Sequence, residues 1–221
     1  MWIVGLFACS AASDRAIESG DAGSNDTGPV APTCLCSSVE SPAAPVTTED
    51  GLLALLRATQ VVTWPELDGL ALAVEDETDL AYFRASISTD TTLEEANADR
   101  LFVVSYDPVV LADPPDSTSL VAILTHELGH VFDYTGMSVK DYLEFGLWYG
   151  AQDPMESDEL AGYERATDER ALARGCAAGL AAMREWIYLH ASAEVLAEKR
   201  RNYYTPEEIS AWTEVHGACG G

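Results

Sequence analysis

The chain has 221 residues, enough for one globular domain with a sizeable core plus a tail. Apolar residues make up 48%, which is ordinary, but 12 Lys and Arg stand against 37 Asp and Glu, a net charge of −25. That balance excludes nucleic acid and anionic membrane surfaces as partners, because phosphate contacts need a basic footprint. The charge serves solubility first, and attraction of cationic peptides second.

Residues 1–8, MWIVGLFA, are apolar, and Cys9 follows. Leu6-Phe7-Ala8-Cys9 resembles a bacterial lipobox. The resemblance implies a signal segment over 1–9, lipidation of Cys9, and a place in the bacterial cell envelope, lipid-anchored or secreted. The segment is too short to span a bilayer and carries no Lys or Arg; a free N-terminal strand is the alternative. Residues 10–33 are rich in Ser, Ala, Gly, Asp and Pro without an apolar period and are predicted to be a disordered tether. Any membrane attachment runs through the lipid alone, since no stretch reads as a transmembrane span. The folded domain is predicted over 34–221, with no internal repeat and no signal for an oligomeric state.

Setting Cys9 aside leaves Cys34, Cys36, Cys176 and Cys219. None has CxxC spacing, which argues against a cysteine metal site or a thioredoxin-type motif. Cys34 and Cys36 are too close to pair comfortably, so two bridges run from them to Cys176 and Cys219, in either connectivity. Bridges favour an oxidising compartment; four buried thiols are the alternative.

Thr47-Thr-Glu-Asp opens a predicted helix through Leu52, Leu53, Leu55 and Leu56 to about Gln60. Residues 69–74 are predicted to be a strand, and Asp79 to Ala85 a helix. Arg100 to Tyr106, β-branched and aromatic, is the clearest strand. Asp107-Pro108 ends it, and Asp113 to Asp116 is a loop. A long helix follows, with Leu120, Ile123, Leu124, Leu128, Val131 and Phe132 at helical spacing, Ser117 or Ser119 as N-cap and Gly136 as the stop. The aromatics Tyr142, Phe145, Trp148 and Tyr149 either cover the core or line a pocket, the core being the commoner answer. From Met155 the chain is again helical. A stripe of small residues, Ala171, Gly175, Ala178, Gly179 and Ala182, is predicted to receive another helix. Thr205-Pro-Glu-Glu208 opens a last helix to about His216, with an N-cap, a proline at N1 and a carboxylate at N3.

The long helix contains His126-Glu127-Leu-Gly-His130. Positions i and i+4 lie about 6 Å apart along the axis and about 40° apart around it, so both imidazoles point the same way. Two imidazoles so placed serve as two ligands of one Zn²⁺. Glu127 sits where its carboxylate reaches a metal-bound water rather than the metal, and Gly129 removes a side chain beside the second histidine.

The motif resembles the active-site helix of the zincin metallopeptidases. The resemblance implies an α+β, mostly helical fold with a small mixed sheet before the helix, and an edge strand that lines the cleft and pairs with an extended substrate. Asp133 and Gly136 stand where a metzincin would have its glycine and third histidine, so the third ligand comes from elsewhere. Glu164-Arg-Ala-Thr-Asp168, 34 residues after His130, resembles the gluzincin ExxxD pattern. That implies Glu164 on zinc and Asp168 supporting a motif histidine; the rival has Asp168 as the ligand. Glu169 falls on the flank. The implied reaction is zinc-dependent hydrolysis of a peptide or protein substrate, with Glu127 as general base. Tyr149, Tyr163, His190, Tyr203, Tyr204 and His216 are candidates for stabilising the oxyanion. A catalytically silent lipid-anchored binding or structural domain, and a zinc hydrolase of non-peptide substrates, are the alternatives.

Overall fold

The helix that carries the two histidines runs from Ser117 to Thr135 (α3), and the rest of the fold is wrapped around it. Its apolar residues are not confined to one stripe, and burial extends from Ser119 to Val131 without a break. A helix that is apolar on nearly all sides has to be surrounded. The computed structural model describes residues 33–78, 82–217 and 219. The signal segment, Cys9 and nearly all of the tether expected over 10–33 lie outside these residues. Thr33 is described, and its N–H donates to the Ala173 carbonyl.

The N-cap of α3 is Asp116, not Ser117 or Ser119. Its carboxylate accepts from the Ser119 N–H and hydroxyl, both at 2.9 Å. An acid here also meets the positive end of the helix dipole. The α1 helix, Glu49–Thr63, is capped by Thr48 and lays Leu52, Leu55 and Leu56 against α3. A short helix, Val109–Ala112 (α2), bridges the sheet and α3.

Among the described residues the sheet has three strands, Ala71–Asp76 (β1), Phe83–Ile87 (β2) and Leu101–Tyr106 (β3), in the order β1-β3-β2. β1 pairs with β3 in parallel and β2 pairs with it antiparallel, so the sheet is mixed and β3 is central. The expected helix over 79–85 is wrong where it can be seen. Phe83 to Ile87 is a strand, with Phe83, Ala85 and Ile87 buried and Arg84 exposed. Five residues of alternating burial are too few for their period to separate strand from helix in the sequence. Tyr82, just ahead of the strand, has φ of 83°, where the chain turns into the sheet. β2 packs along α3.

After α3 the described residues form five helices: α4 (Val139–Gly150), α5 (Asp158–Ala173), α6 (Ala177–His190), α7 (Ala193–Asn202) and α8 (Pro206–His216). The helical stretch expected from Met155 starts at Asp158 and is interrupted at Gly175, whose φ of 81° no helix accommodates. The small residues therefore do not form one stripe. Ala171 is buried on α5, whereas Gly179 on α6 lies against α3, where a Cβ would sit 2.9 Å from that of Ala122. Ala178 is exposed. The opening of α8 is a full capping box, with Thr205 accepting from Glu208 N–H and Glu208 accepting from Thr205 N–H. No described helix is long and apolar enough to cross a membrane.

The cysteines lie where bridges need them. Cys34 and Cys219 are 5.3 Å apart at Cα, and Cys36 and Cys176 are 5.2 Å apart, both inside the range a disulfide spans. The Cys36 sulfur is buried against Thr125 of α3.

Candidate metal centre

His126 and His130 turn their Nε2 atoms to one point, 3.1 Å apart. Glu164, brought by α5, puts Oε2 3.2 Å from His130 Nε2 and 3.5 Å from His126 Nε2. That oxygen is buried and holds no hydrogen bond. Ligands at the usual 2.0–2.1 Å from a tetrahedral zinc are about 3.3 Å from one another. The three atoms therefore already have the separations of three corners of such a site. They form a buried group close enough to hold a metal ion.

Each of the three side chains has its own support. Asp168, one turn after Glu164, places Oδ1 2.8 Å from His126 Nδ1. The two groups form a buried ion pair. Asp168 is itself held by Arg184 Nη2 at 2.8 Å and the Tyr204 N–H at 2.9 Å. His130 Nδ1 meets the Tyr163 hydroxyl at 2.8 Å, and the Tyr149 hydroxyl donates to Glu164 Oε1 at 2.8 Å. Such partners fix the ring orientation and tune the basicity of ligands. Glu169 points away, accepting from the Tyr204 hydroxyl on the exposed flank.

The charges are consistent with this role. Burial disfavours an ionised Glu164, but His130 and His126 outweigh it and hold its carboxyl well below the usual range. Burial likewise opposes charge on Asp168, and Arg184 and His126 bring its pKa down. Burial lowers the pKa of His126, yet Asp168 more than reverses this and carries it to about 9. The two carboxylates are thus kept anionic in the metal-free protein, and a cation bound here has to displace the proton of His126.

Close approach of α5 to α3 makes this possible. A Cβ on Gly129 would sit 2.9 Å from Thr167 Cγ2 and 3.4 Å from Trp64 Cζ2. Thr167 stands between Glu164 and Asp168, so the glycine lets the whole ExxxD turn reach the histidines. Arg170, from the next turn, clamps Asp133 at 2.6 and 2.9 Å and ties the helices together below the site.

No family model, curated protein or solved structure matches this chain. The chemistry of the site therefore has to be read from its geometry.

Glu127 lies beside the three candidate ligands without joining them. Its Oε2 is buried and has no hydrogen-bond partner, and the residue faces a cavity of about 680 Å³ together with His130 and Glu164. One wall of that cavity is β2 and another is α4. None of the α4 residues is fully buried, and Tyr142, Phe145 and Tyr149 line the cavity. Three of the four α4 aromatics thus line a pocket, with Tyr142 and Phe145 also resting on the core rather than filling it, while Trp148 is not part of the lining and its indole N–H donates to Glu159.

The six oxyanion candidates separate clearly. His190 is tied to Trp186 and Asp113, His216 stacks on Trp212, and Tyr204 is spent on Glu169. Tyr163 supports His130. Tyr149 and Tyr203 line the cavity, but the Tyr149 hydroxyl already donates to Glu164. The Tyr203 ring is in contact with the cations of Arg184 and Lys199, at 4.6 and 4.7 Å from its centroid. The sequence reading did not single out Lys199. It is a buried lysine whose pKa is lowered by burial, and a cation placed in the interior is the signal that marks it.

Proposed function

We propose that this chain is a zinc metallopeptidase. The observation that carries the reading is the buried trio of His126, His130 and Glu164, spaced as ligands and each with its own support. Two imidazoles and one carboxylate suit zinc and leave a position open to the cavity, as catalytic sites do. When bound, zinc supplies Lewis acidity and lowers the pKa of a coordinated water.

The protein's own groups do the rest. Glu127 takes the proton of the attacking water and hands it to the leaving amine. Its unpartnered oxygen leaves it free for that task, with no hydrogen bond to break first. Tyr203 donates to the carbonyl oxygen as negative charge develops there. Burial, reinforced by Glu164, raises the pKa of its phenol well above the ordinary value, so it stays a donor. The apolar side chains of α4 shield the reacting groups from water, and the outer edge of β2 gives an extended peptide a strand to lie against.

Cysteine pairs at bridging distance support an oxidising compartment for this activity, and anchoring through Cys9 is the matching proposal for its location.

The test joins metal content to hydrolysis. The purified protein should hold one zinc per chain and cleave members of a peptide library, and chelation should abolish cleavage. Glu127→Gln should keep the zinc and lose the activity. A protein that neither holds zinc nor gains activity when zinc is added refutes the reading.

A further inference from the structure

The outer edge of β2 is not open along its whole length, and what closes it determines how a peptide can lie there. Two hydrogen bonds set the phase of the strand: Ser88 N–H donates to Leu101 C=O at 2.8 Å, and Asp107 N–H donates to Tyr82 C=O at 2.9 Å. In an antiparallel pair the hydrogen-bonded positions alternate. Tyr82, Arg84, Ser86 and Ser88 therefore turn their backbone groups to β3, and Phe83, Ala85 and Ile87 turn theirs outward.

Two tyrosines occupy the outward groups at the Ile87 end. The Tyr134 hydroxyl, one turn beyond His130 on α3, donates to the Ala85 carbonyl at 3.3 Å. The Ile87 N–H donates to the Tyr142 hydroxyl of α4 at 2.9 Å. The Ile87 carbonyl accepts from Thr92 at 3.5 Å. The two rings meet edge to face, 5.2 Å apart, and Phe145 backs Tyr134 at 5.8 Å, so they form a fixed wall. At the other end no described group bonds to the Phe83 N–H, the Phe83 C=O or the Ala85 N–H. Phe83 shares both the large cavity and a smaller cleft with Glu127, so this free end lies beside the general base.

We propose that Tyr134 and Tyr142 are specificity-determining residues that close the β2 edge on its Ile87 side. This rests on the peptidase reading. A bound peptide pairs with Phe83 next to the scissile bond and runs on freely in one direction. In the other direction it meets the tyrosine wall within about one residue. The enzyme then acts on peptide bonds close to a chain end, and extension of the substrate on the closed side adds nothing to its rate.

The test uses two nested peptide series that share one scissile bond, lengthened residue by residue on the N-terminal side in one and on the C-terminal side in the other. The zinc-loaded wild type should gain in kcat/KM with length in one series and stop gaining after the first residue in the other. Tyr142→Ala should raise the ratio of long to short peptides in the stalled series by about 2- to 10-fold, the factor one recovered hydrogen bond is worth. Tyr142→Phe keeps the ring in place and should keep the wild-type ratio. A merely structural role would lower all rates together and leave the ratios alone. Equal gains in both wild-type series overturn the inference by themselves, whether or not Tyr142→Ala folds. A folded Tyr142→Ala with the wild-type ratio does the same. No cleavage of any member overturns the peptidase reading and this inference with it.

Discussion

Replacing Gly129 by alanine tests the packing that brings the third ligand to the histidines. The new methyl would lie 2.9 Å from Thr167 Cγ2 and 3.4 Å from Trp64 Cζ2. Carbon atoms rest at about 3.5–4.0 Å, so α5 and α3 must part by several tenths of an ångström. Thr167 is fully buried and β-branched, and cannot swing aside. Overpacking of this kind costs about 1–3 kcal/mol. Alanine gains back about 1 kcal/mol over glycine inside a helix. The net destabilisation is therefore modest, about 1 kcal/mol, and a Tm shift of about 2–4 °C for a chain of this size. The effect on metal should be larger in proportion, because the displaced turn carries Glu164 and Asp168. We expect zinc affinity to fall about 10-fold, as when the support of a ligand is disturbed. Thr167→Ser removes the clashing methyl but keeps the hydroxyl that donates to Tyr163 C=O. The double variant should recover both stability and affinity, with a coupling of about 1 kcal/mol or more between the sites. Thermal unfolding with and without chelator, and competition against a zinc indicator, read the two quantities. If Gly129→Ala binds zinc as wild type does, or if the two substitutions simply add, the helix spacing does not set the ligand.

Zinc affinity should be almost lost in Glu164→Ala, fall about 10- to 100-fold in Asp168→Ala, and change little in Glu169→Ala; competition titrations on the three variants separate ligand from support. Tyr163→Phe should likewise weaken binding about 10-fold by removing the hydroxyl at His130 Nδ1. Arg184→Leu removes one of the two cationic partners of the buried Asp168 carboxylate, leaving His126, and should cost up to about 3–5 kcal/mol in denaturant unfolding of the metal-free protein. Peptide mapping without reductant should find Cys34 joined to Cys219 and Cys36 to Cys176, and loss of the second pair by Cys36→Ser should cost about 2–5 kcal/mol.

Features that depend on residues one turn apart were legible in the sequence. His126 and His130 face one way because a helix makes them do so, and the helix itself is announced by its apolar residues. The α8 capping box and the central strand from Leu101 are similarly local. Where a local signal was ambiguous, tertiary structure decided. Phe83 to Ile87 is too short to prove its period, and becomes a strand because β3 offers it a ladder and α3 covers one face. The break at Gly175 ends α5 so that α6 can pack Gly179 against α3, a demand that no window of sequence contains. The ExxxD spacing could propose Glu164, but its reach to the histidines depends on Gly129 meeting Thr167, a contact between residues 38 apart in the chain. The choice among the tyrosines was also tertiary. Each hydroxyl is equivalent in sequence, and only the fold spends one on His130, one on Glu164, one on Glu169 and two on the edge of β2, leaving Tyr203 facing the cavity.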